Sequence, residues 1–211
     1  PISRAGRKVL LLDRAGRIKP CGGAIPPRLI KDFAIPDHLL VARIRCARMV
    51  APSDAKVDIP IEGGFVGMVD RGPFDEWLRE RAAQAGAVRT RGSFEAIERD
   101  VDGSAIVRFS SRDRRGGQAV PVRVKARVVV GADGARSEVA RQEVPGSDRG
   151  KFVFAYHEIL RAPVDRPGYD GTRCDVVYNG EYSPDFYGWV FPHGDTMSVG
   201  TGSADKGFSL R

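Results

Sequence analysis

At 211 residues, 42% hydrophobic and 29% charged, the chain has the composition of an ordinary globular protein, long enough for one large domain or two small ones. Its longest apolar runs, Val9–Leu12 and Val128–Val130, fall far short of the roughly 20 residues that cross a bilayer, and three cysteines without metal-ligand spacing (Cys21, Cys46, Cys174) suit a reducing cytoplasm better than a disulfide framework and suggest no metal site. The net charge of +7 is scattered among interleaved Asp and Glu, with no aromatic-interleaved basic patch, so no nucleic-acid partner is expected.

Ser3-Arg4-Ala5-Gly6 reads as a helix terminus with a glycine cap, and Lys8–Asp13 as a buried parallel strand. A helix needs more residues before it than the chain supplies, and the other end stops at Phe208-Ser209-Leu210-Arg211 just after a strand. An internal fragment of a longer protein is therefore expected. No charged-then-apolar leader opens it, which favours a cytoplasmic location. The first third is strongly basic: Arg14, Arg17, Lys19 and their neighbours meet only Asp13 and Asp32. This is either a solvated surface or one that faces an anion.

Lys19–Arg28, rich in Pro and Gly, reads as a loop. Pro73–Gly86 is the clearest helix: Pro73 suits its first position, Gly86 its end, and Phe74, Trp77, Leu78, Ala82 and Ala85 form one apolar stripe. Short strands are expected at Phe94–Glu98, Ala105–Ser110 and Val120–Val124, with a turn at Arg114-Arg115-Gly116-Gly117. Arg127–Val130 reads as a buried strand running into Gly131. From Lys151 the strands lengthen (Phe152–Leu160, Cys174–Tyr178, Tyr187–Phe191, Met197–Gly200), and a long antiparallel sheet is the natural reading. A boundary is expected near Gly146–Gly150, dividing residues 1–150 from 151–211, with residues 40–70 available to the second part's sheet.

Asp13, ending an apolar strand, is placed as a dinucleotide fold places the acid that accepts from a ribose hydroxyl pair; a simple turn or helix cap is the alternative. Val128–Val130 leads into Gly131-Ala132-Asp133-Gly134-Ala135-Arg136-Ser137, a tight turn and a helix start. Glycines there let backbone approach a ligand, and a helix N-terminus favours an anion. Alternation puts Tyr187, Trp189 and Phe191 on one strand face, an aromatic wall equally good for a core or for a tail-shaped cavity. Cys21 alone would be a buried small hydrophobe; beside Gly22 and Gly23 it is better explained by close approach to a ligand. His193 reads as a loop histidine rather than an acid catalyst.

The Gly-Ala-Asp-Gly-x-x-Ser turn resembles the motif that closes around the flavin nucleotide in FAD-dependent hydroxylases and their relatives. Lys19-Pro20-Cys21-Gly22-Gly23, Val69-Asp70-Arg71 ahead of Phe74-Asp75, and Tyr187-Gly188-Trp189-Val190-Phe191-Pro192 followed by Gly200-Thr201-Gly202 together resemble the geranylgeranyl reductases. The likeness extends over almost the whole chain and is strongest to the bacteriochlorophyll and chlorophyll branch. It implies a mixed α/β fold, with a Rossmann-like FAD-binding domain (residues 1–150, in part) interleaved with an antiparallel-sheet substrate domain (151–211, in part).

The resemblance further implies FAD as cofactor and NADPH as electron donor, with a prenyl diphosphate or prenylated chlorophyllide as substrate. Asp13, Arg14, Cys21, Gly22, Gly23, Arg71, Gly131, Asp133 and Gly134 would contact the cofactor. Tyr187, Trp189, Phe191, Pro192, Gly200 and Gly202 would contact the substrate, and Cys21 or Tyr187 would supply a proton. Arg14, Arg17 and Lys19 would draw a diphosphate. A lipophilic substrate suits peripheral association with a photosynthetic membrane, although no amphipathic anchor is visible. The family's first glycine loop would lie upstream of residue 1 and its later Gly-Asp motif is not found, so residues 1–211 alone are expected to bind FAD weakly. The competing readings are a flavin-dependent aromatic hydroxylase, a saturase for another prenyl chain, and a basic docking domain for membranes or nucleic acid.

Overall fold

The computed structural model describes residues 2–14, 18, 21–111 and 118–209. It has a mixed α/β fold. In chain order the strands are β1 (Val9–Asp13), β2 (Ala24–Ile25), β3 (Leu40–Ile44), β4 (Cys46–Val50), β5 (Lys56–Pro60) and β6 (Val66–Val69). There follow β7 (Ala87–Arg99), β8 (Ala105–Ser111), β9 (Val120–Ala126), β10 (Phe154–Arg161), β11 (Arg173–Val177), β12 (Gly188–His193) and β13 (Thr196–Ser203). Helices are α1 (Pro27–Asp32), α2 (Arg71–Gln84) and α3 (Glu138–Glu143). None among the described residues is long and apolar enough to cross a membrane. Two compact units emerge, one of residues 1–18 and 75–150, the other of residues 19–74 and 151–211.

In the first unit a four-stranded sheet runs β1-β7-β8-β9. β1 lies parallel to the start of β7, Val9 opposite Ala87 and Asp13 opposite Arg91. From Gly92 onward β7 turns to pair antiparallel with β8, which pairs with β9. Gly92 marks the change: a Cβ there would stand 2.7 Å from the Ser110 carbonyl and 2.9 Å from the Phe109 ring. The β7–β8 register slips between Phe94 and Ala96, and beyond Arg91 β7 has a strand partner on one side only among the described residues. Gln142 of α3 meets two backbone groups of this stretch: its amide oxygen accepts from the Ile97 N–H at 3.0 Å and its amide nitrogen donates to the Glu95 carbonyl at 3.0 Å. One side chain thus fastens α3, and the turn before it, to the sheet.

The second unit holds a six-stranded sheet, β10-β13-β12-β11-β4-β5, and a small one, β2-β6-β3. The large sheet is antiparallel except where β4 runs parallel to β11, with Cys46 opposite Arg173. Residues 46–60 therefore complete a sheet whose other strands lie beyond residue 150. The core gathers around Ile44, Met68 and Cys174, with Val66 and Phe191 packed against them.

Several expectations need correction. Helix α2 begins at Arg71, so Pro73 is its third residue, and Leu78 of the expected stripe is exposed. The Lys19–Arg28 loop gives way to strand at Ala24 and to helix at Pro27, where a proline's fixed φ and missing N–H fit a first helical position. Arg127–Val130 forms no strand: Val128 is 77% and Val130 69% exposed. Apolar alternation creates a strand only where a neighbouring edge accepts its hydrogen bonds, and among the described residues none borders this segment. The Arg114–Gly117 turn lies outside the described residues.

The contrast between buried and exposed apolar residues is measurable. Phe109, 1% exposed, should cost about 3–5 kcal/mol on replacement by alanine. Val128→Ala should change stability by less than about 0.5 kcal/mol. Denaturant unfolding of the two variants checks both figures, and equal costs would refute this placement of the core.

Candidate functional site

In the first unit, Asp13 closes β1 and its Oδ2 accepts from the Arg79 Nε at 2.7 Å. Arg79 also meets Glu76, which forks with Arg89 at 2.8 and 3.1 Å. The carboxylate is thus held by an arginine at the end of a parallel strand. Arg14 follows it and is exposed.

The turn before α3 is organised by Asp133. Its Oδ1 accepts from the Ser137 hydroxyl, and its Oδ2 from the backbone N–H groups of Glu138 (2.7 Å) and Val139 (3.2 Å). Ser137 in turn caps the helix by accepting from the Ala140 N–H. Burial pushes the Asp133 carboxyl up, but these donors outweigh it and hold the group below its ordinary value. The anion at the start of α3 is therefore the protein's own. Gly131 is needed because a Cβ would lie 2.9 Å from Val139. Gly134 differs: its φ is +94°, and nothing stands within 4 Å of where a Cβ would be. Asp13 thus closes a parallel strand and Gly134 leaves its turn open, whereas the N–H groups at the start of α3 are already taken by Asp133.

In the second unit, the Cys21-Gly22-Gly23 loop lies against β12. A Cβ on Gly22 would stand 3.0 Å from the Phe191 ring, and one on Gly23, whose φ is +73°, 2.7 Å from the His193 ring. His193 Nε2 lies 3.0 Å from the Gly22 carbonyl and its Nδ1 3.3 Å from Asp70 Oδ1. The Val69 N–H donates to the Gly23 carbonyl at 3.0 Å. Cys21 is exposed, and Arg71 begins α2.

Tyr187, Trp189 and Phe191 do share a face, with ring centroids 6.2 and 6.1 Å apart; Phe186 stacks on Tyr187 at 4.2 Å. Trp189 is buried, Tyr187 and Phe191 half-buried, and Pro192 buried. The indole N–H donates to the Ser198 hydroxyl at 3.1 Å, and Ser198 lies 2.9 Å from His157 Nδ1. Gly200 sits beneath the indole: a Cβ would come within 2.5 Å of both the Trp189 ring and the Tyr156 carbonyl. At Gly202 it would come within 3.0 Å of Phe186.

Five of the glycines singled out in the sequence, Gly131 among them, thus admit the chain's own side chains. Sequence reasoning missed Ser198 and His157 altogether, named Asp70 only as part of a motif without a role, and left His193 as a loop residue. Arg17 and Lys19 lie outside the described residues, as does the Pro20 start of the Cys21 loop. Among the described residues no cluster of His, Cys, Asp or Glu is arranged to hold a metal ion.

Residues 34–164, well over half of the chain, match the FAD binding domain family, and the chain belongs to that family. Its cofactor is accordingly FAD. Over 210 residues, the whole of the chain, it is 60% identical to geranylgeranyl diphosphate reductase of Rhodobacter capsulatus and covers 52% of that protein. With the chloroplastic geranylgeranyl diphosphate reductase of Oryza sativa subsp. japonica the identity is 36%, over 96% of this chain and 45% of the rice protein. The chain spans about half the length of the curated relatives it matches. A solved geranylgeranyl bacteriochlorophyll reductase-like protein from Thermoplasma acidophilum shares the fold, with a TM-score of 0.80 at 22% identity over 96% of this chain and 52% of that one.

Gly200→Ala should destabilise the protein by about 1–3 kcal/mol, because the Tyr156 carbonyl cannot move aside as a flexible side chain would; thermal unfolding is the check, and a neutral result would disprove the close seating of Trp189. The cysteines should also separate. Burial, with help from Asp175, pushes the Cys174 thiol up to about 12, so at pH 8 it carries almost no thiolate. A thiol reagent should label exposed Cys21 long before Cys174, as site-resolved mass spectrometry would record.

Proposed function

We propose that this protein is an FAD-dependent reductase that saturates a geranylgeranyl chain to phytyl, presented as the free diphosphate or as the chlorophyllide ester, with NADPH as electron donor. The observation that carries this reading is the 60% identity to the Rhodobacter enzyme, which runs unbroken in coverage through the Cys21 loop and the aromatic strand. Peripheral association with a photosynthetic membrane belongs to the same reading, since the prenyl tail is lipophilic.

In this assignment residues 1–150 contribute the nucleotide-binding part and 151–211 the substrate sheet, joined by strands β4 and β5. Asp13 takes the ribose hydroxyls, the Gly131–Gly134 turn the nucleotide backbone, and Arg14 and Arg71 its phosphates. Cys21, Gly22 and Gly23 lie beside the flavin ring. Tyr187, Trp189 and Phe191, with Pro192, Gly200 and Gly202 shaping the strands around them, present the apolar wall to the tail.

Reduced FAD, when bound, supplies the hydride. An isolated alkene offers no carbonyl to polarise, so each saturation also consumes a proton, delivered to the carbon that does not receive the hydride. The protein's residues must place the double bond, exclude water and provide that proton. The aromatic wall does the first two by apolar contact. Cys21 and Tyr187 are the candidate donors, each ending in a group that can release hydrogen and be replenished from solvent.

The decisive experiment incubates the intact protein anaerobically with FAD, NADPH and geranylgeranyl diphosphate, and follows product mass. The expected result is a rise in steps of two hydrogens. Oxygen-dependent hydroxylation of a small aromatic, with the prenyl mass unchanged, would instead establish the hydroxylase reading. Replacing the true proton donor should lower turnover about 10²–10⁴-fold with little change in KM. If Cys21→Ala and Tyr187→Phe both keep full turnover, neither residue is the donor.

A further inference from the structure

His193 ends β12 at the turn of the β12–β13 hairpin, yet it makes contacts with residues 123 and 171 positions away. Its side chain is only 7% exposed. The Gly22 carbonyl is an acceptor and nothing else, so the nitrogen that faces it at 3.0 Å, Nε2, must carry the hydrogen. The other nitrogen, Nδ1, faces Asp70 Oδ1 at 3.3 Å; a carboxylate oxygen also only accepts, so this contact is a hydrogen bond when Nδ1 carries a hydrogen as well. The Asp70 backbone is anchored, because its carbonyl accepts from the Phe74 N–H at the start of α2. The Gly23 carbonyl next along the loop accepts from the Val69 N–H, one residue before Asp70. Both carbonyls of the Gly22-Gly23 pair are thereby tied down, one by a side chain from β12 and one by the backbone of β6. The Phe191 ring closes the remaining side of Gly22.

We propose that His193 is the positioning residue of the Cys21 loop: Asp70 orients the imidazole, the imidazole's Nε2–H holds the Gly22 carbonyl, and the Cys21 thiol is presented at a fixed place. The arrangement has the logic of an oriented histidine in which a carboxylate sets the ring so that its far nitrogen meets a chosen partner. Here the partner is backbone, so the histidine transfers no proton; it sets geometry. A loop bearing a group that must meet one alkene carbon gains from this, since misplacement by about 1 Å can cost on the order of a hundredfold in rate. The consequence for catalysis rests on the reading of Cys21 as a residue beside the flavin ring, whereas the clamp itself does not.

The test therefore reads the loop without flavin. Hydrogen exchange at the Val69 amide, which is bonded to the Gly23 carbonyl, reports opening of the loop. The amides of Val190 and Val199, paired within the large sheet, serve as controls. His193→Leu, which keeps bulk but has no donor, should speed Val69 exchange about tenfold while the controls hold. His193→Gln, whose amide still donates, should restore most of the protection. If Leu protects as well as Gln, the residue only fills space and the proposal falls. A measurement on the native protein guards against a leucine variant that does not fold: the ring nitrogens of His193 should show hydrogen on Nε2, and a bare Nε2 overturns the assignment. Failure of prenyl reduction with these readings intact would count against the proposed activity and not against the clamp.

Discussion

Strand β12 carries Trp189 and Phe191 on one face, with Tyr187 just ahead of it, at spacings of about two strand residues. Whatever crosses that face must leave room for rings, and in the second unit the crossing segments do so with glycine. Gly200 passes under the indole, Gly202 beside Phe186, Gly22 against Phe191 and Gly23 against His193. Everything else in the unit follows from this seating. The β12–β13 ladder can close only because the opposing strand lacks a side chain under Trp189, and the Cys21 loop can reach the strand only because its own Cα atoms are bare. The indole is then pinned by its N–H to Ser198, a hydroxyl with no solvent exposure whose other partner is His157. A buried N–H left without a partner would cost about 1–3 kcal/mol, so the ring has one satisfied orientation rather than several.

The first unit solves a different problem. A single strand, β7, serves a parallel pairing at its start and an antiparallel one at its end, and where the parallel partner stops one of its sides has no strand neighbour among the described residues. Gln142 of α3 bonds two backbone groups of that stretch, so the unflanked part of the strand becomes the anchor for the helix that follows the Gly131–Asp133 turn. The turn is then finished internally, with Asp133 closing the helix it precedes. Asp13, at the end of β1, owes its place to the parallel half of the same strand. Two candidate cofactor residues distant in sequence are thus both positioned through β7.

Much of this was legible from local pattern. The strand ending at Asp13, the helix after Arg71, the hairpin strands β8 and β9 and the shared face of Tyr187, Trp189 and Phe191 all follow from periodicities within a dozen residues. What was not legible depends on partners far away in the chain. The parallel pairing of β4 with β11 joins residues 46–50 to 173–177, and no local signal marks it. Val128–Val130 has the composition of a buried strand but lacks a bordering edge among the described residues, so pattern alone misplaced it. His193 looked like a loop residue because both its partners lie more than a hundred positions off. The glycines were recognised as points of close approach, but not what approaches them; a missing side chain records that space is needed and is silent on its occupant.

The seating of rings on glycines also bears on how such a chain can change. A ring and the bare position beneath it are cast and mould: neither can be altered first without loss, since a methyl under Trp189 collides and a smaller residue at 189 leaves a void above Gly200. Substitutions at these places must come in pairs, and the intermediate with only one of them is disfavoured. On mechanical grounds, the aromatic residues and the Gly-x-Gly that follows them should change only together. Two proteins that share it share a shape of wall, and they remain free to differ in the molecule that rests against it.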